Sequence, residues 1–404
     1  MILFSNYIAG QTAIFLALLG TAVFISARRR IAPGLLPKEI SNELRGLAIL
    51  GVIFTHLTYG KFYGTDFLFP LGIWGGVAVN LFFFLSGYGL AASAIYHPKT
   101  IGQFYKKRIL KVYWPLWLSL ILFLGLDAWL LNRFYPLTEV VLSFIGFFPI
   151  ANLWTSLNSP LWFLTPLIFY YLLFPLIFRP KHPWFSAIAI TAVSFLAFWP
   201  GWPVSDQVLK FYQVHSLAFP LGVLFALLLV SPQAVCRSCL RRDKCRPRAA
   251  AEKIKSWFAI IGKRKRLAGV LARFRSQSDY WRWFLLVIFI VAAIYTAYYS
   301  GVGHGVWPEQ VIALFTMLCL VLVFILKKVK FVLLEVFGIY SFEIYLWHWP
   351  IISRYSDWLE FLPPALLTVV WLAGLLLLGW LFNRFAGSRS NKIADKKSSK
   401  KSSC

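Results

Sequence analysis

Two residues in SNELRGLAILGVIFTH, Arg45 and His56, are of the kind that do chemistry. They stand eleven positions apart. At 100° per residue that is about 1100°, three turns plus roughly 20°, so one helix face carries both, about 16 Å apart along the axis. A guanidinium grips anions with a planar fork, and an imidazole is the natural base near neutral pH. The pair therefore reads as a lined channel, with an anion grip at its mouth and a base further in. It reads equally as a snorkelling Arg and a His capped near the opposite surface. FYKKRILKVYW supplies a second set, with Arg108 and Lys111 on one face beside Lys106 and Lys107. That basic rim suits a phosphate-bearing ligand or ordinary interfacial anchoring. IYSFEIYLWHWP places Glu343, Tyr345 and His348 close together, and His348 either orients a substrate or belongs to an aromatic belt. Asn80 and Ser86 put polar groups inside NLFFFLSGYG, where Ser86-Gly87 also serves close helix packing. His215 and Asp127 sit near outer helix ends.

The elements that must position these groups follow from composition. The chain has 404 residues, 59% hydrophobic and only 14% charged. Soluble domains carry about 25% charged residues, so this is an all-α integral membrane protein. Short alternating segments of a transmembrane barrel are absent from the pattern. Apolar runs predict eleven spans, near 7–27, 44–59, 76–96, 112–131, 161–178, 184–199, 211–230, 283–300, 311–326, 331–352 and 365–382. With the N-terminus outside, 37 of the 41 Lys+Arg fall inside and only Lys61, Arg133, Lys210 and Arg354 outside. The net charge of +26 thus describes topology first, and no nucleic acid is expected. The short apolar stretch 140–150 is read as re-entrant or interfacial, because counting it as a span would reverse that charge split.

The domain reading is an extra N-terminal transmembrane helix over 1–30, a membrane domain over 41–385, a basic cytoplasmic insert over 231–282 and a disordered basic tail over 386–404. The insert holds fifteen Lys/Arg, and Ile254, Trp257, Phe258 and Ile261 give it an amphipathic helix suited to anionic lipid. Cys236, Cys239 and Cys245 lack a fourth ligand for zinc, and no metal site is expected.

LRGLAILGVIFTH, GGVAVNLFFFLSGYGL, FYKKRILKVYWP, SPLWFLTPLIFYYLLFPLI and IYSFEIYLWHWPI, in that order, resemble the blocks of the membrane-bound acyltransferase 3 family. The resemblance covers about residues 41–385 and implies a ten-helix bundle with both ends cytoplasmic, to which the first helix here is an addition. It further implies transfer of an acyl group, commonly acetyl from acetyl-CoA, to a hydroxyl of a surface polysaccharide, lipid-linked glycan or glycolipid in the cell envelope. Acyl-CoA would be a co-substrate, with no permanently bound cofactor. The family's Arg-x10-His pattern falls on Arg45 and His56, and its basic pair on Arg108 and Lys111. Lys111 stands where Arg is common, and Asn42 and Asn80 stand where acids are common, so this chain either manages without those carboxylates or uses Glu43, Glu335 or Glu343.

On this reading His56 is the general base or a transient acyl carrier, and the donor's phosphates lie near Arg45, Arg108 and Lys111. Its pantetheine arm runs up the Arg45–His56 stripe, the acceptor enters from the outer side or within the bilayer near Ser86 and His348, and Asn80 and Glu343 are further substrate-binding candidates. The expected place is the plasma (inner) membrane. The rival from another class is a polytopic transporter or flippase for a lipid-linked sugar, although no inverted repeat is visible. A scaffold docking partners on the insert would leave the Arg45–His56 stripe unexplained.

Overall fold

The computed structural model describes residues 2–30, 35–199, 202–229, 279–300 and 305–399. Its helices, in chain order, are α1 (Ile2–Ile25), α2 (Lys38–His56), α3 (Phe69–Gly72), α4 (Gly75–Tyr96), α5 (Ile101–Leu131), α6 (Leu137–Ile145), α7 (Leu164–Ile177), α8 (Pro183–Phe198), α9 (Asp206–His215), α10 (Ala218–Leu229), α11 (Asp279–Tyr299), α12 (Val306–Leu326), α13 (Val332–Ile339), α14 (Ser341–Arg354) and α15 (Pro364–Ser399).

Among the described residues, eight segments are helical, long and apolar enough to cross a membrane: Tyr7–Ile25, Gly75–Tyr96, Ile101–Leu131, Ser159–Ile177, Asp206–Leu229, Tyr280–Tyr299, Val306–Leu326 and Pro364–Phe385. Three of the eleven expected spans differ. α8 is apolar but short. α2 is diluted by Lys38, Glu39, Asn42, Glu43, Arg45 and His56. The stretch expected as one span near 331–352 is two helices, α13 and α14, broken at Tyr340. The stretches near 44–59 and 331–352 carry most of the candidate chemistry. α1 and α11 are the opposite case: only 17% and 22% of their apolar windows are buried.

Close helix contact is built on glycine. A Cβ on Gly46 would lie 1.8 Å from the Leu334 carbonyl oxygen, and one on Gly338 1.7 Å from that of Asn42. α2 and α13 therefore cross backbone to backbone. Gly87 and Gly222 do the same for α4 and α10, against the carbonyls of Phe219 and Phe84. α5 begins with a capping box between Thr100 and Gln103 and runs 31 residues. At 1.5 Å per residue that is about 46 Å, longer than the roughly 30 Å hydrocarbon core. The Lys106–Lys111 cluster is thus the first turns of this helix and extends past its apolar part.

Two three-residue strands, Ala27–Arg29 and Val329–Phe331, pair antiparallel with Arg28 opposite Lys330. The ribbon joins the end of α1 to the link between α12 and α13. It corrects the expectation of helix up to residue 30, since α1 stops at Ile25. Arg30 beside it donates to the carbonyls of Ile325 and Leu35. The segment expected as re-entrant or interfacial holds the nine-residue α6, closed by Gly146 with φ +86°. The tail expected to be disordered from 386 continues instead as backbone helix to Ser399. Extending an existing helix avoids the nucleation step that makes isolated helices unfavourable. Nearly all of the basic insert, including its three cysteines and the amphipathic segment, lies outside the described residues.

Candidate active site

The last turn of α2 delivers His56 to α14. His348 Nε2 lies 3.1 Å from His56 Nδ1, and His348 Nδ1 lies 2.8 Å from the Tyr345 carbonyl oxygen one turn back. His348 is fully buried, while His56 retains part of its exposure. The Trp349 ring stands 5.6 Å from the His56 ring. α14 is held from the side: the Tyr345 hydroxyl donates to the Pro160 carbonyl, and Trp349 Nε1 donates to the Leu153 carbonyl at 2.9 Å. Immediately after His56 the helix widens into a π-turn, Leu57–Lys61, a form frequent at functional sites. Gly60 within it lies flat beneath the Trp349 indole, which a Cβ there would meet at 2.3 Å. Thr55 is tied across the helix, donating to the Gly72 carbonyl at 2.6 Å.

The other end of the stripe is cationic. Among the described residues Arg45 has no carboxylate partner; it donates to Asn42 Oδ1 at 3.4 Å. It stands near enough to Arg108 for their charges to repel, and Lys111 is repelled by Arg108, Arg45 and Lys38 and attracted by Glu343. Arg45 and His56 therefore meet different helices, α5 and α14, which pack on each other. Beside this cluster lies a cavity of about 160 Å³ between the end of α4, the start of α5 and the end of α7. Lys99, Lys107, Arg108 and Arg179 give it charge, and Phe104 and Phe174 give it flat apolar walls. Burial, together with the Lys107 and Arg108 cations, pushes the Lys99 ammonium down from its usual range. Such crowding of like charge is relieved by an anion.

The remaining predicted residues go elsewhere. Asn80 Oδ1 accepts from or faces His215 Nδ1 at 2.8 Å, and its buried Nδ2 has no partner. His215 also stacks on Trp162. Ser86 lies at the α4–α10 glycine crossing, next to Gly87. Glu343 accepts from Asn383 Nδ2 at 2.6 Å and belongs to the cationic end through Lys111. Of the substitute carboxylates, Glu43 is paired with Lys327 and the Phe331 N–H, and Glu335 with Lys330 at 3.2 Å. None of these three acids bonds to His56. Sequence reasoning missed Lys99 and Arg179 as cleft residues, although both follow apolar helices next to prolines (Pro98, Pro180). It also missed the partner of His215.

A family model described as an acyltransferase domain, acyltransferase 3, matches residues 42–384. The acyltransferase MdmB of Streptomyces mycarofaciens is 28% identical over 219 residues, 46% of this chain and 56% of that protein. The chain thus spans little more than half the length of this curated relative. No solved structure matches. The family match runs from α2 into α15 and encloses His56, His348 and the cationic cleft, and with its eight apolar helices the chain is a multi-pass membrane protein belonging to the acyltransferase 3 family.

Proposed function

We propose that the protein moves an acyl group, acetyl in the simplest case, from acyl-CoA to a hydroxyl of a cell-surface glycan, lipid-linked sugar or glycolipid. The cationic end of the bundle faces the cytoplasm of a plasma-membrane protein whose N-terminus is outside and whose C-terminus is inside. The nucleotide phosphates of the donor rest on Lys99, Lys107, Arg108 and Arg179, with Arg45 and Lys111 behind them. The phenylalanine walls of the cleft suit the adenine ring. The pantetheine arm then follows α2 toward His56. The basic insert holds anionic lipid at the same surface.

The thioester is already activated, so the chain must orient a hydroxyl and remove its proton. His56 takes that proton while the hydroxyl oxygen attacks the thioester carbon. The tetrahedral intermediate collapses, the C–S bond breaks, and the CoA thiolate recovers the proton from His56. A covalent variant, in which His56 carries the acyl group between donor and acceptor, uses the same placement. The observation that carries this reading is the pairing of a partly buried His56 with a fully buried His348, on the helix whose other end meets the cationic cleft.

Thermal unfolding of the protein in nanodiscs tests it. Acetyl-CoA and adenosine 3′,5′-bisphosphate should both raise the melting temperature, and a free sugar should not. Stabilisation by the sugar alone would replace the enzyme with a transporter.

A further inference from the structure

We infer that His348 is a positioning residue that fixes the tautomer of His56, making Nε2 the nitrogen of His56 that handles the proton. The argument follows the lone pairs. The Tyr345 carbonyl 2.8 Å from His348 Nδ1 accepts only, so Nδ1 carries the hydrogen of His348. A neutral imidazole has one N–H, so His348 Nε2 is a lone-pair nitrogen. That nitrogen is 3.1 Å from His56 Nδ1, which must therefore donate. The Val52 carbonyl, one turn back on α2, also reaches the His56 ring and accepts only, so it competes for no lone pair at Nδ1; with the single N–H of His56 turned to His348, Nε2 is left as its basic nitrogen. Neutrality is imposed by the surroundings: His348 has no solvent exposure, and an unpaired buried charge is expensive.

Two wall residues hold this arrangement in place. Tyr345, which supplies the accepting carbonyl, is anchored by its hydroxyl to Pro160, and Trp349, against the His56 ring, is anchored to Leu153. When Nε2 takes a proton, His56 becomes an imidazolium whose Nδ1–H donates to His348 as a charge-assisted bond, stronger than the neutral one. His348 thus orients the base and steadies its charged form, the two tasks that an aspartate performs in a serine-protease triad. A neutral imidazole does so without placing a carboxylate in the apolar interior. Glu43, Glu335 and Glu343, the acids expected to assist, are all engaged by other residues.

The catalytic meaning of this assignment rests on the acyl-transfer reading, whereas the tautomer does not. ¹⁵N NMR of histidine-labelled protein in nanodiscs reads the tautomer without substrate, with His56→Gln identifying the His56 signals. The wild type should show His56 protonated at Nδ1. His348→Phe should move it to the Nε2–H form, the one favoured by an isolated imidazole. His348→Gln, whose amide oxygen accepts where His348 Nε2 does, should restore Nδ1–H. It should also restore transfer of label from [¹⁴C]acetyl-CoA at least tenfold over His348→Phe, with acetyl-CoA stabilisation equal in all three. An Nε2–H form in the wild type, or an unchanged tautomer in His348→Phe, overturns the inference. The wild-type spectrum decides even where the Phe variant fails to fold. Loss of stabilisation by acetyl-CoA in every variant and the wild type would instead count against the function.

Discussion

Two polar networks fasten α14 to the bundle, and they differ in what they leave unspent. At its C-terminal end Arg354 meets Asp127 of α5 at 2.9 Å, and Asp127 also accepts from Tyr135 at 2.6 Å and from Tyr355. Arg354 donates in addition to the Leu157 carbonyl at 2.9 Å. Both carboxylate oxygens are occupied and Asp127 is fully buried. Six residues earlier, His348 and His56 share one hydrogen bond, bear no formal charge in the proposed state, and leave His56 only partly buried. An ion network whose two carboxylate oxygens are both taken can only hold, even with Arg354 Nε left unpartnered; a pair with a spare lone pair can also react. The contrast separates buried polarity that supports the fold from buried polarity that is kept for chemistry.

Breaking the Asp127–Arg354 network should give the larger stability effect. Asp127→Ala strands the Arg354 guanidinium, and loss of one partner of a buried pair costs about 3–5 kcal/mol. The melting temperature should fall sharply, while the activity of the molecules still folded persists. An Asp127→Ala protein that melts like the wild type would remove the distinction. Next comes the glycine crossing that sets α2 against α13. Gly46→Ala forces the two backbones apart, an overpacking cost of about 1–3 kcal/mol, and shifts the rod that carries both Arg45 and His56. Acetyl-transfer activity should drop along with stability, and an unaffected double readout would show that the rod's placement is not critical. In the cleft, Arg108→Ala and Lys99→Ala should each weaken acetyl-CoA binding about tenfold, roughly 1.4 kcal/mol, with a shallower dependence on salt. Unchanged affinity in titration calorimetry would move the donor elsewhere.

The smallest effect is expected at Lys61. Burial opposes its charge, but Asp357 and Glu360, each 2.6 Å away, more than compensate, and its pKa is raised. A raised folded value means that the contribution is complete below the ordinary lysine value of about 10.4 and lost as pH climbs through the folded one. Because both carboxylates are largely exposed, solvent screens the pair. Lys61→Met should melt slightly below the wild type at neutral pH and match it in strong alkali; a gap that persists in alkali would assign it to lost packing.

Much of this was legible in one dimension. Long apolar runs mark the helices, and the sign of the loops gathers Arg28, Lys99, Arg108, Arg179 and Lys330, several of which the ribbon and the cleft bring together. The common face of Arg45 and His56 follows from helix rotation alone. The partner of His56 does not, because it lies 292 positions away and depends on how α14 is rotated. Asn80 and His215 pair across 135 positions for the same reason. The break at Tyr340 is hidden inside an apolar run, and three-residue strands are too short to show a period. The π-turn at Leu57–Lys61 answers to the Trp349 ring above Gly60, a tertiary demand with no local signature.

The account turns on His56. Membranes containing either wild-type protein or His56→Ala at equal folded amount should be given [¹⁴C]acetyl-CoA, and the label entering glycan and glycolipid fractions followed with time. General acid–base catalysis is worth about 10²–10⁴ in rate, so the variant should fall at least about a hundredfold while still being stabilised by acetyl-CoA. Incorporation at the wild-type rate would contradict the account, because no other group bonded to His348 among the described residues could take the proton.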